Sequence, residues 1–515
     1  MTSRDPIYIT TTIPYVNARP HIGHALELVQ ADVLARHYRR RGHPVRYQTG
    51  TDDNSLKNVL AAHAQGIGVR ELVARNAAAF SDLAAHLSLS VDDEISTSSD
   101  VRHKPGVHRL WRACDESGDI YRKHYAGLYC VGCEQFYHSD ELIAGRCAEH
   151  GTQPELISEE NWFFRLSAYA DQLRSAILTG KLRIEPAGRR NEVLSFIEGG
   201  LTDFSISRSA TRARGWGVPV PDDPSQVIYV WFDALGNYIS ALGYGSDEAE
   251  LSRWWTNASR QIHLLGKDVL RFHAVYWPAI LLSAGLPLPS DILVHDHLTA
   301  DGAKISKSAG NTVDPVALTA TYGTDALRWW LLRDVPRVGD TDFTLVRLIA
   351  RSNDELANGI GNLVNRVVAL IGKYRDGVAD RQEYAQQYDT PRRQADQWRA
   401  LSAARAKATG LIDAALAGGD FRKATAAVWA IVDHANRYVS HSRPWDLAKA
   451  ELAGDRDAGR QFDAALGALI ATCREVAGHL EPFLPDASAR IAAQCASERL
   501  PAPVPLFPRL CLLDG

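Results

Sequence analysis

The chain has 515 residues, too many for one hydrophobic core, so about two to four domains are expected. Hydrophobic residues at 45% and charged residues at 23% suit a globular protein, no run is apolar enough to span a bilayer, and seven unevenly spaced cysteines do not make a secreted disulfide framework. The net charge of −4 excludes a uniformly basic surface but not a local basic track, and Met1–Pro6 holds no apolar signal core, so a cytoplasmic location is expected.

The first element, Ile7–Ile13, is β-branched and aromatic and reads as a buried strand ended by Pro14. Pro20-His21-Ile22-Gly23-His24 follows, and then Leu26, Val29, Val33 and Leu34 recur at helical spacing up to Arg41. Gly23 therefore falls at a strand-to-helix turn, where a backbone without Cβ admits a phosphate to the helix N-terminus. His21 and His24 flank that turn, and each neutral imidazole has one N–H to donate to phosphate oxygens. Val45–Thr51 reads as a second strand leading to Asp52-Asp53-Asn54, with helical patterns to about Leu89. This rhythm predicts a parallel sheet with helices on both faces.

From Gly118 to Asp223 the rhythm breaks, as an insertion would break it. Within it, Cys130-Val131-Gly132-Cys133 is followed, thirteen residues later, by Cys147-Ala148-Glu149-His150. Three thiolates and one imidazole at CxxC and CxxH spacing suit one tetrahedral structural zinc with no open position. Val227–Phe232 is expected to resume the sheet, with Gln261–Gly266 and Ile292–His295 as further strands. Ligands bind at the carboxyl ends of such strands, where Asp52 and Asp268 would lie. Lys304-Ile305-Ser306-Lys307-Ser308 then supplies two ammonium groups in a loop bracketed by Gly302 and Gly310. The two motifs in this order point to chemistry at the α-phosphate of ATP, where donors must stabilise charge on the transferring group and on pyrophosphate. From about Asp354 to Gln494 the pattern is helical and alanine-rich, which predicts a helix bundle.

The HxGH and KxSKS pair resembles the two signature motifs of class I aminoacyl-tRNA synthetases. Tyr229–Ala234 and Gly266–His273 are similar to the amino-acid-binding segments of the methionyl-tRNA synthetase family. The resemblance covers nearly the whole chain. It implies an α/β fold: a Rossmann-type doubly wound parallel sheet with an inserted zinc-containing connective domain, followed by an all-α helix bundle. The expected layout is 1–117 and 224–295 as the two halves of the catalytic domain, with 118–223 as the insertion and its knuckle at 130–150. Residues 296–350 would carry the KMSKS-type loop and stem-contact region, and 351–515 an α-helical anticodon-binding domain.

Position by position, the resemblance implies that His21, His24, Lys304 and Lys307 act on ATP, with Gly23 and Asp268 also at the nucleotide. Ile13, Tyr15, Trp231, Ala234, Tyr238, Val269 and His273 would line the methionine side-chain pocket, and Asp52 would hold the ammonium group. Leu235 stands where many relatives have proline, and Ile305 where methionine is usual. Cys130, Cys133, Cys147 and His150 match the zinc knuckle, with His150 in the place of a fourth cysteine. Asn362, Arg366 and Trp445 would read the CAU anticodon by base-edge hydrogen bonds and stacking. The implied reaction is attachment of L-methionine, through methionyl-adenylate, to initiator and elongator methionine tRNA by a monomer that uses Mg²⁺ with ATP. The alternatives are a sister enzyme for leucine, isoleucine, valine or cysteine, a tRNA-independent nucleotidyltransferase, and a non-catalytic tRNA-binding relative. The first three sister enzymes usually carry a larger insertion than 118–223, and a non-catalytic relative would have lost the histidines and lysines.

Overall fold

The computed structural model describes residues 5–130, 135–137, 141–148, 151–300, 302–305, 312–379 and 392–512; for Gln135, Phe136, Lys304 and residues 392–395 it describes the backbone alone. They form two compact units, one of residues up to Ala85 with Leu89–Asp296, the other of His86–Ser88 with His297 onward.

In the first unit, β1 (Ile7–Thr11) is buried along its whole length, as its β-branched and aromatic residues require. It leads through a turn to α1 (Ile22–Arg40), whose last turn carries His37, Arg39 and Arg40 at the negative end of the helix dipole. Next come β2 (Val45–Thr51), α2 (Leu56–Gln65), α3 (Val69–His86), β3 (Asp93–Ser96) and α4 (His103–Glu116). β4 (Ile120–Cys130), β5 (Gln135–Tyr137) and β6 (Glu155–Phe164) begin an antiparallel sheet of their own, of order β5-β4-β6-β8, with β8 at Phe204–Ser205. Between β6 and β8 lie α5 (Ala170–Leu178), β7 (Arg183–Glu185) and α6 (Ala187–Glu198). After β8 come β9 (Ser207–Ser209), β10 (Pro219–Val220), β11 (Asp223–Ile228), α7 (Val230–Leu235), α8 (Asn237–Ser240) and α9 (Glu248–Leu251). The unit closes with β12 (Arg260–Gly266), α10 (Trp277–Ser283) and β13 (Asp291–His295).

Six strands make one wholly parallel sheet of order β3-β2-β1-β12-β13-β7. Chain order runs outward on one side of β1 and resumes at β12 on the other. The β1–β12 boundary is thus the switch point where the crevice of such a sheet opens. Tyr8, Trp255, Trp277, Tyr238, Phe164 and Phe232 are fully buried around it.

Two features depart from the sequence reading. Val227–Phe232 does not resume the parallel sheet. β11 ends at Ile228 and pairs antiparallel with β9 and β10, and the next residues form α7, capped by Tyr229. A short apolar β-branched run fits a buried helix turn as well as a strand, and here packing decides: Val230, Phe232, Ala234 and Leu235 are all buried. The sheet edge is supplied instead by β7, a three-residue strand within the stretch read as an insertion.

The second unit starts with a small sheet of β14 (Leu298–Ala300), β15 (Ala303–Lys304) and β16 (Thr341–Phe343). Its helices are α11 (Pro315–Tyr322), α12 (Thr324–Arg333), α13 (Leu345–Arg351), a π-helical segment Ser352–Gly361, α14 (Asn362–Arg375), α15 (Arg392–Ala417), α16 (Phe421–Ser442), α17 (Pro444–Leu452), α18 (Arg456–Leu480) and α19 (Pro485–Cys495). Asp314, Asp420 and Asp455 cap α11, α16 and α18 by accepting backbone N–H groups. No helix among the described residues is long and apolar enough to cross a membrane.

Arg328 on α12 is fully buried and donates to the carbonyls of Phe483 (2.8 Å), Leu87 (2.8 Å) and Pro482 (3.2 Å), joining a distant loop to the turn before α19. Arg328→Met keeps the bulk but strands these acceptors, each a desolvated carbonyl. It should cost about 2–4 kcal/mol, read as a lowered denaturation midpoint of the helical unit.

Candidate functional site

The site grows from the turn between β1 and α1. His21 is the N-cap of α1, and its Nδ1 accepts the Gly23 N–H at 3.1 Å. His24 answers from the third helical position, its Nδ1 accepting the His21 N–H at 3.1 Å. This is a reciprocal capping box in which two imidazoles replace the usual hydroxyl and carboxylate. Both Nδ1 atoms accept, so in the neutral ring the proton is on Nε2, inferred from these partners. The rings lie 3.9 Å apart, and His24 meets Phe80 edge-on at 5.1 Å. Burial pushes His21 down to about 4, against the opposing pull of Asp268. It pushes His24 well below the usual histidine range too, with His21 adding to the effect and Asp268 opposing it. Gly23 is needed sterically, since a Cβ there would lie 2.9 Å from His21 Cε1.

Beside this turn is an aromatic pocket. Trp231 of α7 stacks on Phe272 at 3.8 Å with the ring planes 5° apart. Tyr15 and His273 each approach Trp231 edge-on at 6.4 Å. Phe272 and His273 stand on a π-helical turn, Phe272–Tyr276, just before α10. His273 Nδ1–H donates to the Val269 carbonyl at 2.9 Å, so its Nε2 accepts the Tyr238 hydroxyl proton at 2.8 Å. Burial pushes His273 down to about 4 and keeps the Tyr238 phenol protonated. The walls are therefore aromatic and uncharged. Trp231 Nε1 is buried with no hydrogen-bond partner among the described residues. Ala234 is buried, while Ile13 and Val269 are half-buried.

Asp52 is 2% exposed and follows the carboxyl end of β2, where its N–H donates to the Pro14 carbonyl at 2.9 Å and it forms a parallel bridge with Tyr15. Its Oδ1 accepts the Asn54 N–H at 3.2 Å. Asn54 Nδ2 donates to Asp233 at 2.7 Å, and the other Asp233 oxygen pairs with His103 Nε2 at 2.7 Å. Asp268 is exposed in the turn after β12, and its charge raises the proton affinity of His21, His24, His273 and His295 alike.

The structure thus brings His21, Gly23, His24 and Asp268 together with Tyr15, Asp52, Trp231, Ala234, Tyr238, Val269 and His273 in the first unit. Lys304 enters β15, pairing with Thr299, and Ile305 is buried, whereas Lys307 and Gly310 lie outside the described residues. In the second unit, Asn362 opens α14 half-buried, Arg366 is exposed one turn on, and half-buried Trp445 is the second residue of α17. Cys130 ends β4 with its Sγ 3.7 Å from Thr152 Oγ1, and Cys147 Sγ is 3.7 Å from the Tyr137 hydroxyl; both thiols are buried. Cys133 and His150 lie outside the described residues, among which no group of three metal-ligating side chains occurs.

Sequence reasoning did not place Phe272 as the stacking partner of Trp231, nor the Asn54–Asp233–His103 chain behind Asp52, nor Glu27 and His295. Only Glu27 left a trace: it lies three residues after His24, on the same helix face.

The family profile described as "tRNA synthetases class I (M)" matches residues 7–153 and 133–368. The methionine–tRNA ligase of Brucella suis biovar 1 is 40% identical, with 99% of each chain covered. That of Clostridium perfringens is 38% identical over 95% of this chain and 73% of its own. The structure of Mycobacterium tuberculosis methionyl-tRNA synthetase in complex with methionyl-adenylate superposes with a TM-score of 0.91 and 36% identity, covering 98% of this chain and all of that one.

The buried histidines carry a consequence for stability. His21, His24, His263 and His273 all bind protons more weakly folded than unfolded because burial disfavours their charge. Their contribution to stability is present above the unfolded value of 6.5 and is lost as pH falls through it toward about 4. The unfolding free energy should therefore drop over that window, by up to about 1.4 kcal/mol per pH unit for each such histidine, read as a falling folded fraction at fixed denaturant.

Proposed function

The chain belongs to the methionine–tRNA ligases of the class I tRNA synthetase family, and on that premise we propose which of its residues carry the two steps of the reaction. It activates methionine with ATP and transfers the aminoacyl group to tRNA. In the first step a methionine carboxylate oxygen attacks the α-phosphorus. A C–O–P linkage forms, the bond to the β-phosphate oxygen breaks, and pyrophosphate leaves. No proton need move, so the catalyst works by position and by charge stabilisation.

His21 and His24 supply two Nε2–H donors at the positive end of α1, and their neutrality lets them bind phosphate oxygens without a salt bridge that pyrophosphate must break. Lys304 and Lys307 add ammonium donors, and Gly23 and Asp268 complete the nucleotide site. Mg²⁺ accompanies the ATP phosphates. Trp231, Tyr15, Tyr238 and His273, with Ile13, Ala234 and Val269, receive the thioether side chain, which is apolar and polarizable enough for aromatic walls. Asp52 takes the ammonium group, held in place by Asn54. In the second step a hydroxyl of the terminal tRNA ribose attacks the adenylate carbonyl and AMP leaves. Asn362, Arg366 and Trp445 read the CAU anticodon of initiator and elongator tRNA, with Trp445 as a stacking platform. The protein works as a cytoplasmic monomer. The observation that carries this reading is the pair of neutral imidazoles at a helix N-terminus beside an uncharged aromatic pocket.

Cys130, Cys133, Cys147 and His150 hold one structural zinc. The fit rests on the donor set and on the burial of Cys130 and Cys147: the Cys130 thiol lies 3.7 Å from the Thr152 hydroxyl, and the Cys147 N–H donates to the Thr152 carbonyl at 2.9 Å. When bound, the metal fixes a small loop that has little core of its own.

Pyrophosphate exchange into ATP, assayed with each of the twenty amino acids, should run with methionine far above the rest. In the same assay Gly23→Ala should slow exchange at least about tenfold, since its Cβ displaces His21 from both cap and phosphate. An unchanged rate would remove the cap from the mechanism. Elemental analysis should find close to one zinc per chain and find it gone in Cys130→Ser; a zinc-free wild type would sink the ligand assignment.

A further inference from the structure

One charged pair in the same crevice is not used by this mechanism. Glu27 faces inward on α1, one turn beyond His24. Its Oε1 accepts the Thr12 N–H at 2.6 Å and the Thr12 Oγ1–H at 2.5 Å, which fixes the carboxyl group in place. Its Oε2 lies 3.0 Å from His295 Nε2, while His295 Nδ1 lies 2.9 Å from the Asp296 carbonyl. Neither partner has a hydrogen to give, so both ring nitrogens of His295 must carry one. The side chains of His295 and Glu27 are 12% and 11% exposed. We propose that His295 is a positioning residue in its imidazolium form: by neutralising Glu27 it holds the strand ends of the crevice together and permits ATP to bind.

The placement supports this role. Thr12 directly follows β1 and precedes the pocket residue Ile13. His295 ends β13 in register with Gly266, two residues before Asp268. A Cβ on Gly266 would lie 3.5 Å from His295 Cε1 and 2.9 Å from Asp268 Oδ1, so the ring rests against that turn. One proton thus ties together the carboxyl ends of β1, β12 and β13. Without it, Glu27 would stand as an unpaired anion in a crevice that must admit a polyphosphate.

The charged groups facing His295 are Glu27 from α1 and Asp268 from the turn after β12; the Asp296 carboxylate is engaged by Arg189 of α6. Burial lowers the proton affinity of His295, but Glu27, with the Asp296 carbonyl and Asp268, more than offsets it and raises that affinity above the ordinary histidine value. The charge is therefore present at low pH and lost as pH rises through that raised value. His21, at about 4, stays neutral throughout, so it cannot produce an alkaline change.

The inference rests on reading this crevice as the ATP site. Its test is ATP–pyrophosphate exchange with methionine from pH 6 to pH 9, for wild type, His295→Gln, and the double variant His295→Gln with Glu27→Gln. In wild type the KM for ATP should rise at least about tenfold with pH, the loss of one charge-assisted hydrogen bond, while the KM for methionine stays level. His295→Gln keeps a donor but no charge and should show the raised KM at every pH. The double variant, lacking the unpaired anion, should recover much of the loss. Titration of ATP itself affects all three alike. A pH limb retained in His295→Gln, or a double variant no better than the single, overturns the proposal. Nitrogen-15 NMR of wild type at pH 7 reads the ring protonation directly, and a neutral His295 overturns the proposal whatever the variants do. A wild type without exchange would remove the ATP reading and this inference with it, whereas exchange without the pH limb removes the inference alone.

Discussion

The arrangement of the crevice depends on one reciprocal pair of hydrogen bonds, His21 Nδ1 to Gly23 N–H and His24 Nδ1 to His21 N–H. A helix N-terminus leaves backbone donors without partners, and most helices satisfy them with a hydroxyl or a carboxylate. Here the satisfying groups are imidazoles. A hydroxyl or carboxylate spent on the cap has no rigid, oppositely placed donor left, whereas an imidazole that accepts at Nδ1 must donate at Nε2. The same bonds that close α1 therefore aim two N–H groups away from it. A Cβ at position 23 would press on the His21 ring itself, so the glycine keeps that ring in its capping place.

Around this cap, polar and apolar demands are met by different strand ends. Asp52 comes from the end of β2 and is steadied through Asn54 by a buried Asp233–His103 pair, while the aromatic walls come from α7 and the π-helical turn before α10. Asp233 and Trp231 lie on one short helix, so the hydrogen bonds that fix Asp233 also anchor the backbone that carries the indole, whose plane is set by its stack on Phe272. A π-turn is a costly local geometry that recurs at functional sites. In this protein it coincides with Phe272 lying flat on Trp231 and His273 reaching Tyr238.

The parallel sheet and the helical second unit were legible because their signals are local. β1, β2 and β13 are short runs rich in β-branched residues, β12 is a short apolar run, all closed by Pro, Gly or Asp, and α16 and α18 carry long apolar faces. Val227–Phe232 misled because its β-branched residues describe burial as well as they describe extension, and tertiary packing made half of it helix. β7 was invisible since three residues carry no period. At the site, the histidines and Trp231 could be named from motifs, but not their proton positions. Those depend on partners such as Val269, Glu27 and the His21 backbone, set by how the chain returns on itself: Glu27 meets His295 across 268 residues.

Proton placement is where the fold does most to set the chemistry. Four imidazoles sit within reach of the single carboxylate of Asp268, yet they differ. His21 and His24 face backbone N–H groups through Nδ1, so they are neutral and donate through Nε2. His273 faces a carbonyl through Nδ1, so it is neutral in the opposite tautomer and accepts from Tyr238. His295 faces a carbonyl on one side and a carboxylate on the other, so it holds two protons and a charge. Burial alone would drive all four the same way, toward neutrality. At His21, His24 and His273 burial prevails over the shared field of Asp268, whereas at His295 the acceptors on both ring nitrogens, Glu27 and the Asp296 carbonyl, reverse the balance. One residue type thus provides two uncharged N–H donors at the helix N-terminus, an uncharged acceptor in the aromatic pocket and, on the proposed reading, one buried cation.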